Sequence, residues 1–146
     1  MSVLVVDVGG THIKLLATGQ SEPRKFVSGP TLTAERMVAG VQELARDWTH
    51  DVAAIGYPGP VLHGRPAAEP QNRAPGWVGF DYQAAFGCPV KVINDAAIQA
   101  LGSYKGGKML FLGLGTDLGS TMIVEPMELG HLPYWDFANS FSTASK

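Results

Sequence analysis

Asp7-Val8-Gly9-Gly10-Thr11-His12-Ile13-Lys14, directly behind the apolar run Val3–Val6, is the stretch on which the fold turns. Residues 3–8 (VLVVDV) and 12–17 (HIKLLA) have the apolar, β-branched character of strands, so the two glycines fall in the turn between them. A turn without side chains exposes backbone N–H groups that can hold a phosphate, although the same residues also suit an ordinary hairpin. A second stretch of the same kind, Gly113-Leu114-Gly115-Thr116-Asp117-Leu118-Gly119-Ser120, follows the run Met109–Leu112. Two such turns with different flanks suggest a phosphate held between two lobes.

The common phosphate motifs do not fit. Gly113 and Gly115 begin a GxG, but the third glycine falls one place late, and Ser120–Val124 reads as a strand where a Rossmann turn must open a helix. Gly102–Lys108 (GSYKGGK) has Walker A spacing up to Met109, which replaces the magnesium-binding hydroxyl, and again a strand follows. Gly106-Gly107 reads more simply as a flexible connection after a helix.

Outward from the first turn, residues 24–28 (RKFVS) form a third strand. Thr33 caps a helix reaching about Asp47, on which Met37, Val38, Val41, Leu44, Ala45 and Trp48 share one face. Residues 52–57 (VAAIGY) form a buried strand stopped by Pro58-Gly59-Pro60, and residues 58–80, rich in proline and glycine, read as a long irregular loop. Residues 90–93 form the next strand, and Asn94-Asp95 caps a helix to about Tyr104. Residues 108–114 and 119–124 are two further strands, and residues 135–146 read as a tail. The order βββαβ–loop–βαββ is mixed α/β with an antiparallel start that doubly wound folds lack.

The 146 residues suffice for one ordinary domain with a real core, and 45% hydrophobic and 16% charged content describes a globular protein. A formal net charge of −2 leaves no electrostatic footprint for nucleic acid. The single cysteine, Cys88, can form no internal disulfide and, with four scattered histidines, no usual structural zinc site. No apolar run approaches membrane-spanning length, so neither a membrane partner nor a secreted location is expected, and a cytoplasmic protein is.

Asp7-x-Gly-Gly-Thr-x-x-Lys14, Pro58-Gly59-Pro60, Asn72 before Gly76-Trp77, Ile93-Asn94-Asp95-Ala96, Gly113-x-Gly-Thr116 and Glu128-Leu-Gly-His131 occur in that order. The pattern resembles the ROK-family sugar kinases, and within them the bacterial glucokinases, polyphosphate-dependent ones included, over about residues 3–134. The resemblance implies the ribonuclease H-like N-terminal lobe of the actin-like ATPase and sugar kinase folds over residues 1–107. The start of a second lobe would occupy residues 108–134.

It also implies phosphoryl transfer from ATP or polyphosphate, with magnesium, to the 6-hydroxyl of glucose or a similar hexose. Such transfer needs a base beside the hydroxyl, a clamp on the sugar and donors around the phosphoryl group. Asp95 is the candidate base, although a plain helix cap explains the same residue. Asn72, Asn94, Glu128 and His131 are the candidate sugar ligands; the asparagines also suit turns, and Glu128 and His131 also suit a helix start and a surface histidine. Asp7 would meet magnesium through the phosphate. Gly9, Gly10, Thr11, Lys14, Gly113, Gly115 and Thr116 would surround the phosphate itself. Trp77 fits either a lid over the sugar or a core anchor. The family's zinc-binding cysteine cluster is absent, so no zinc is expected.

Three departures from the family pattern matter. Asp117 stands where the family's second turn has glycine, placing a carboxylate among phosphate oxygens. Val124-Glu125-Pro126-Met127 joins the last strand directly to Glu128, where relatives insert a hairpin. The second lobe has barely begun when the sequence stops, which reads as truncation, frameshift or domestication. The alternative to a kinase is therefore a non-catalytic remnant that binds sugar, phosphate or a protein partner. A homodimer through the surface a second lobe would cover is a further expectation. The family's DNA-binding repressors carry an N-terminal helix-turn-helix, whereas this chain opens with the kinase strand at Val3.

Overall fold

The computed structural model describes residues 1–103, 108–114 and 118–124, with side chains through residue 100. The apolar runs become strands β1 (Val3–Val8), β2 (His12–Ala17), β3 (Arg24–Val27), β4 (Val52–Tyr57) and β7 (Val90–Asn94) of one sheet, in the order β3-β2-β1-β4-β7. The β1–β2 and β2–β3 pairs are antiparallel, whereas β1–β4 and β4–β7 are parallel. β1 lies at the centre because both its edges are used, by the hairpin strand on one side and by the crossover strand on the other.

Alternation along β1 and β2 sends Leu4, Val6, Val8, Ile13, Leu15 and Ala17 to one face, where all are buried. Helix α1 (Ala34–Leu44) covers that face with Met37, Val38 and Val41. Each such side chain contributes about 1.5–3 kcal/mol by leaving water. Thr33 caps α1 as expected, its side chain accepting from the Arg36 amide at 3.2 Å. The helix stops at Leu44 rather than Asp47, because the Ala45 amide still bonds Val41 O while the Trp48 amide turns back to Ala45 O. Beyond that end, Arg24 pairs with Asp47 and stacks on Trp48 with its guanidinium 4.1 Å from the ring centroid.

The opposite face is covered by α3 (Asp95–Ser103), which lies against β4, β7 and β1. Ala97 and Ala100 are buried there, and small residues let the helix axis approach the sheet. Strands β8 (Lys108–Leu114) and β9 (Leu118–Val124) pair as a separate antiparallel hairpin that also touches α3.

Residues 58–80 are more ordered than their composition implied. They contain the short hairpin β5 (Val61–Leu62) and β6 (Arg65–Pro66), closed by His63 and Gly64 at φ 51° and 73°. Two consecutive left-handed residues match the twist of the flanking strands. A five-residue helix, α2 (Tyr82–Phe86), was not expected from the sequence. It is too short for periodicity, but Asp81 accepts from the Ala84 amide and Gly87 closes it at φ 70°.

Candidate functional site

The carboxyl ends of the parallel strands β1, β4 and β7 lie side by side, the position at which open α/β sheets bind ligands. The register aligns Lys25, Lys14, Asp7, Gly56 and Ile93 in one row across the sheet, on the face that carries α3. Asp95 follows two residues after Ile93, at the first turn of α3.

Asp7 is half-buried at the end of β1, and its Oδ1 is buried with no hydrogen-bond partner. Burial pushes its pKa above the usual carboxylate value, the Asp95 charge pushes the same way, and Lys14 opposes both. Burial likewise raises the pKa of Asp95, against the pull of the Ala96 amide and its own. Asp7 therefore senses the Asp95 charge, and Gly56, in register with Asp7 on the strand between them, offers no side chain. A Cβ on Gly56 would lie 2.9 Å from Ile98 Cγ2 and 3.5 Å from Asp7 Oδ1. Gly56 is thus the notch that admits α3 and its carboxylate beside Asp7.

The Gly9–Thr11 turn adjoins this pair. The Gly9 amide donates to His12 O at 3.1 Å, and a Cβ on Gly9 would meet that oxygen at 2.7 Å, so the tight turn requires glycine. Three groups from elsewhere hold the turn. Ser28 Oγ shares its one proton between Gly9 O and Gly10 O, at 3.2 and 3.0 Å, and the Ser28 amide donates to Thr11 O at 3.0 Å. Arg73, from the long loop, donates to Gly9 O and, at 3.3 Å, to Gly29 O. Neither Ser28 nor Arg73 was singled out in the sequence.

Asn94 is tied to protein groups at both ends of its amide. Its Nδ2 donates to Gly59 O at 3.0 Å and its Oδ1 accepts from the Ala96 amide at 3.0 Å, which fastens the Pro58-Gly59-Pro60 segment to the start of α3. Asp95 Oδ1 accepts from the same Ala96 amide at 2.8 Å. Asn72 is exposed at φ 59°, a left-handed conformation that asparagine tolerates. Trp77 is a core anchor and not a lid: it is fully buried against Tyr57, and its indole N–H donates to Ala74 O at 3.0 Å. Glu69 holds the backbone beside it by accepting from the Trp77 and Val78 amides.

The structure therefore brings Asp7, Gly9, Gly10, Thr11, Lys14, Asn94 and Asp95 to one end of the sheet, while Asn72 is exposed in the long loop, next to Arg73. Gly113 pairs with Gly119 near the end of the β8–β9 hairpin. Gly115, Thr116, Asp117, Glu128 and His131 lie outside the described residues. Among the described residues no cluster of three or more His, Cys, Asp or Glu is placed to cage a metal ion, and no helix is long and apolar enough to cross a membrane.

No family model matches the chain. The bifunctional enzyme NanE/NanK of Brucella melitensis is 30% identical over 84% of this chain, which spans only 26% of that protein. Among solved structures, the inorganic polyphosphate/ATP-glucomannokinase of Arthrobacter sp. strain KM superposes with a TM-score of 0.69 at 24% identity, covering 94% of this chain and 66% of that one. The ROK hexokinase of Thermus thermophilus gives a TM-score of 0.67 at 24% identity, covering 85% of this chain and 47% of that one. The mixed sheet with its antiparallel start and parallel finish has the fold of the N-terminal lobe of ROK-family sugar kinases, an actin-like fold.

Proposed function

We propose that the chain carries the sugar-and-phosphate half-site of a kinase that transfers a phosphoryl group from ATP or polyphosphate to the 6-hydroxyl of glucose or a similar hexose. The observation that supports this most directly is the convergence of Asp7, the Gly9–Thr11 turn and Asp95 at the carboxyl ends of three adjacent strands. Asp95 accepts the hydroxyl proton as the oxygen attacks. Its raised pKa makes it a better base than an exposed carboxylate. The bond Asn94 makes to Gly59 positions the loop that leads to Asn72, and each asparagine retains hydrogen-bonding capacity for a sugar hydroxyl. Residues 108 onward begin the second lobe in this reading, with Gly113, Gly115 and Thr116 assigned to the donor and Glu128 and His131 to the sugar.

A magnesium ion fits Asp7. Its buried Oδ1 lacks a partner and faces the charge of Asp95, and magnesium is commonly held by one or two carboxylates together with phosphate oxygens. The ion would supply charge neutralisation on the phosphoryl group. Lys14, exposed and in register with Asp7, adds a cation on the same face. A cytoplasmic location and a homodimer belong to the same proposal.

Comparing glucose with 6-deoxyglucose, which lacks the hydroxyl assigned to Asp95, tests the reading. Glucose is expected to bind roughly tenfold more tightly, as for one hydrogen bond to a charged group, and Asp95→Asn is expected to erase most of that preference. Equal binding of the two sugars by the unaltered chain contradicts the assignment.

A further inference from the structure

We propose that Arg73 and Ser28 are the hidden half of the phosphate turn: by holding the carbonyls of Gly9 and Gly10 they aim the amides of Gly10 and Thr11 at an oxyanion, and the Arg73 charge, bonded to Gly9 O, strengthens the Gly10 N–H through its peptide unit. This rests on the phosphate role of the turn proposed above, and it assigns the residues that make the turn work.

The geometry follows from the peptide unit. Gly9 O and the Gly10 amide belong to one peptide group, as do Gly10 O and the Thr11 amide, and none of the described peptide bonds is cis. In a trans unit the C=O and N–H point in opposite directions. Ser28 Oγ bonds both carbonyls and Arg73 bonds the first, so the two oxygens face β3 and the long loop. The two amides consequently face the other way. Donors on the carbonyl side also polarise each unit and strengthen the N–H opposite. Ser28 is the buried polar side chain among the described residues, an expensive placement unless its hydroxyl is used, as it is here by one proton shared between two carbonyls.

Arg73 is an unusual cation. It is half-buried, yet its bonds go to the backbone carbonyls of Gly9 and Gly29, and no carboxylate among the described residues pairs with it. Glu69 in the same loop is committed to the Trp77 and Val78 amides instead. Burial pulls the guanidinium pKa down, and the ionisable neighbour acting on it is the Tyr57 phenol. Its charge is left uncompensated behind a turn of two glycines, where it adds positive potential to the amides on the opposite side, the side that would face a phosphate or a chain of phosphates. Arg73 also follows Asn72 directly, so the bond to Gly9 ties the sugar-side loop to the phosphate turn.

Inorganic pyrophosphate is the probe, titrated into the full chain with magnesium present while backbone amide NMR signals are followed. The Gly10 and Thr11 amides are expected to shift most. Arg73→Gln, which keeps one donor but no charge, should weaken pyrophosphate roughly tenfold and flatten the salt dependence of binding. Arg73→Lys should recover part of the affinity, a rescue that loop packing alone does not explain. Ser28→Ala, a smaller perturbation, should weaken binding by roughly three- to tenfold with the amide spectrum otherwise preserved.

Unchanged pyrophosphate affinity in Arg73→Gln, or no shift at Gly10 and Thr11 in the unaltered chain, overturns the proposal. Glucose binding serves as the separate readout of the kinase reading. A chain that binds pyrophosphate through Arg73 but no glucose removes the sugar assignment and leaves this one standing.

Discussion

Replacing Gly56 by alanine tests the notch that brings the two carboxylates together. Gly56 lies in β4 with no left-handed φ, so alanine meets no backbone objection. On the unfolded side the exchange favours folding by about 0.4–1 kcal/mol through lost chain entropy. The new methyl, however, would lie 2.9 Å from Ile98 Cγ2 and 3.4 Å from Ile98 Cβ. The contact to Cβ is of ordinary van der Waals length, so the close approach to Cγ2 decides, and relieving it takes either a turn of the stiff β-branched side chain about χ1 or a small shift of α3. Such overpacking typically costs about 1–3 kcal/mol. Combining the two gives a net loss of up to about 2.5 kcal/mol, centred near about 1 kcal/mol, or up to roughly 10 °C in Tm for a chain of this size.

Urea denaturation of Gly56→Ala, Ile98→Ala and the double variant measures it. Ile98→Ala removes the opposing methyl, so alanine at position 56 should cost less than about 0.5 kcal/mol in that background. An equal cost in both backgrounds refutes the notch. So does a Gly56→Ala variant that is more stable than the parent.

Two further outcomes follow from the same geometry. The folded pKa of Asp7 lies above its ordinary value of 3.8, so the folded state keeps its proton longer than the unfolded chain and loses stability as pH rises from that value through the folded pKa. Asp7→Asn should therefore raise Tm by roughly a few degrees at pH 7 and leave it nearly unchanged near pH 3, as thermal melts across that range would show. Asn94→Ala breaks the bonds to Gly59 O and the Ala96 amide and should cost about 1–3 kcal/mol in chemical denaturation, with the Gly59 and Ala96 amide signals shifting most.

The strands of the large sheet were legible because β1, β2, β4 and β7 are apolar runs with turn residues at their ends. Their order across the sheet was not, since pairing depends on contacts distant in sequence; the family resemblance gave the fold class and a mixed sheet, and the order β3-β2-β1-β4-β7 is seen in the structure. Within residues 58–80 composition pointed to irregularity, while the left-handed pair His63-Gly64 makes a hairpin and the Trp77 ring is fixed in the core. The carboxylates of the site were readable from motif and helix position. Gly56 was not, because a glycine in an apolar strand carries no visible sign of the methyl it makes room for. Arg73 was missed for a related reason. Its partners are backbone carbonyls, and Gly9 lies 64 residues away, so nothing in the local sequence separates it from a solvated loop arginine. Asn94 matched both a turn and a sugar ligand, and its two bonds to the chain show the turn role is filled whatever else it binds.

Isothermal titration of glucose into the purified 146-residue chain, with and without magnesium and ATP or polyphosphate, tests the central assignment most directly. The half-site requires a saturable glucose signal that Asp95→Ala abolishes while the variant remains folded. Absence of glucose binding in a folded chain under every combination, or binding that Asp95→Ala leaves intact, would contradict it.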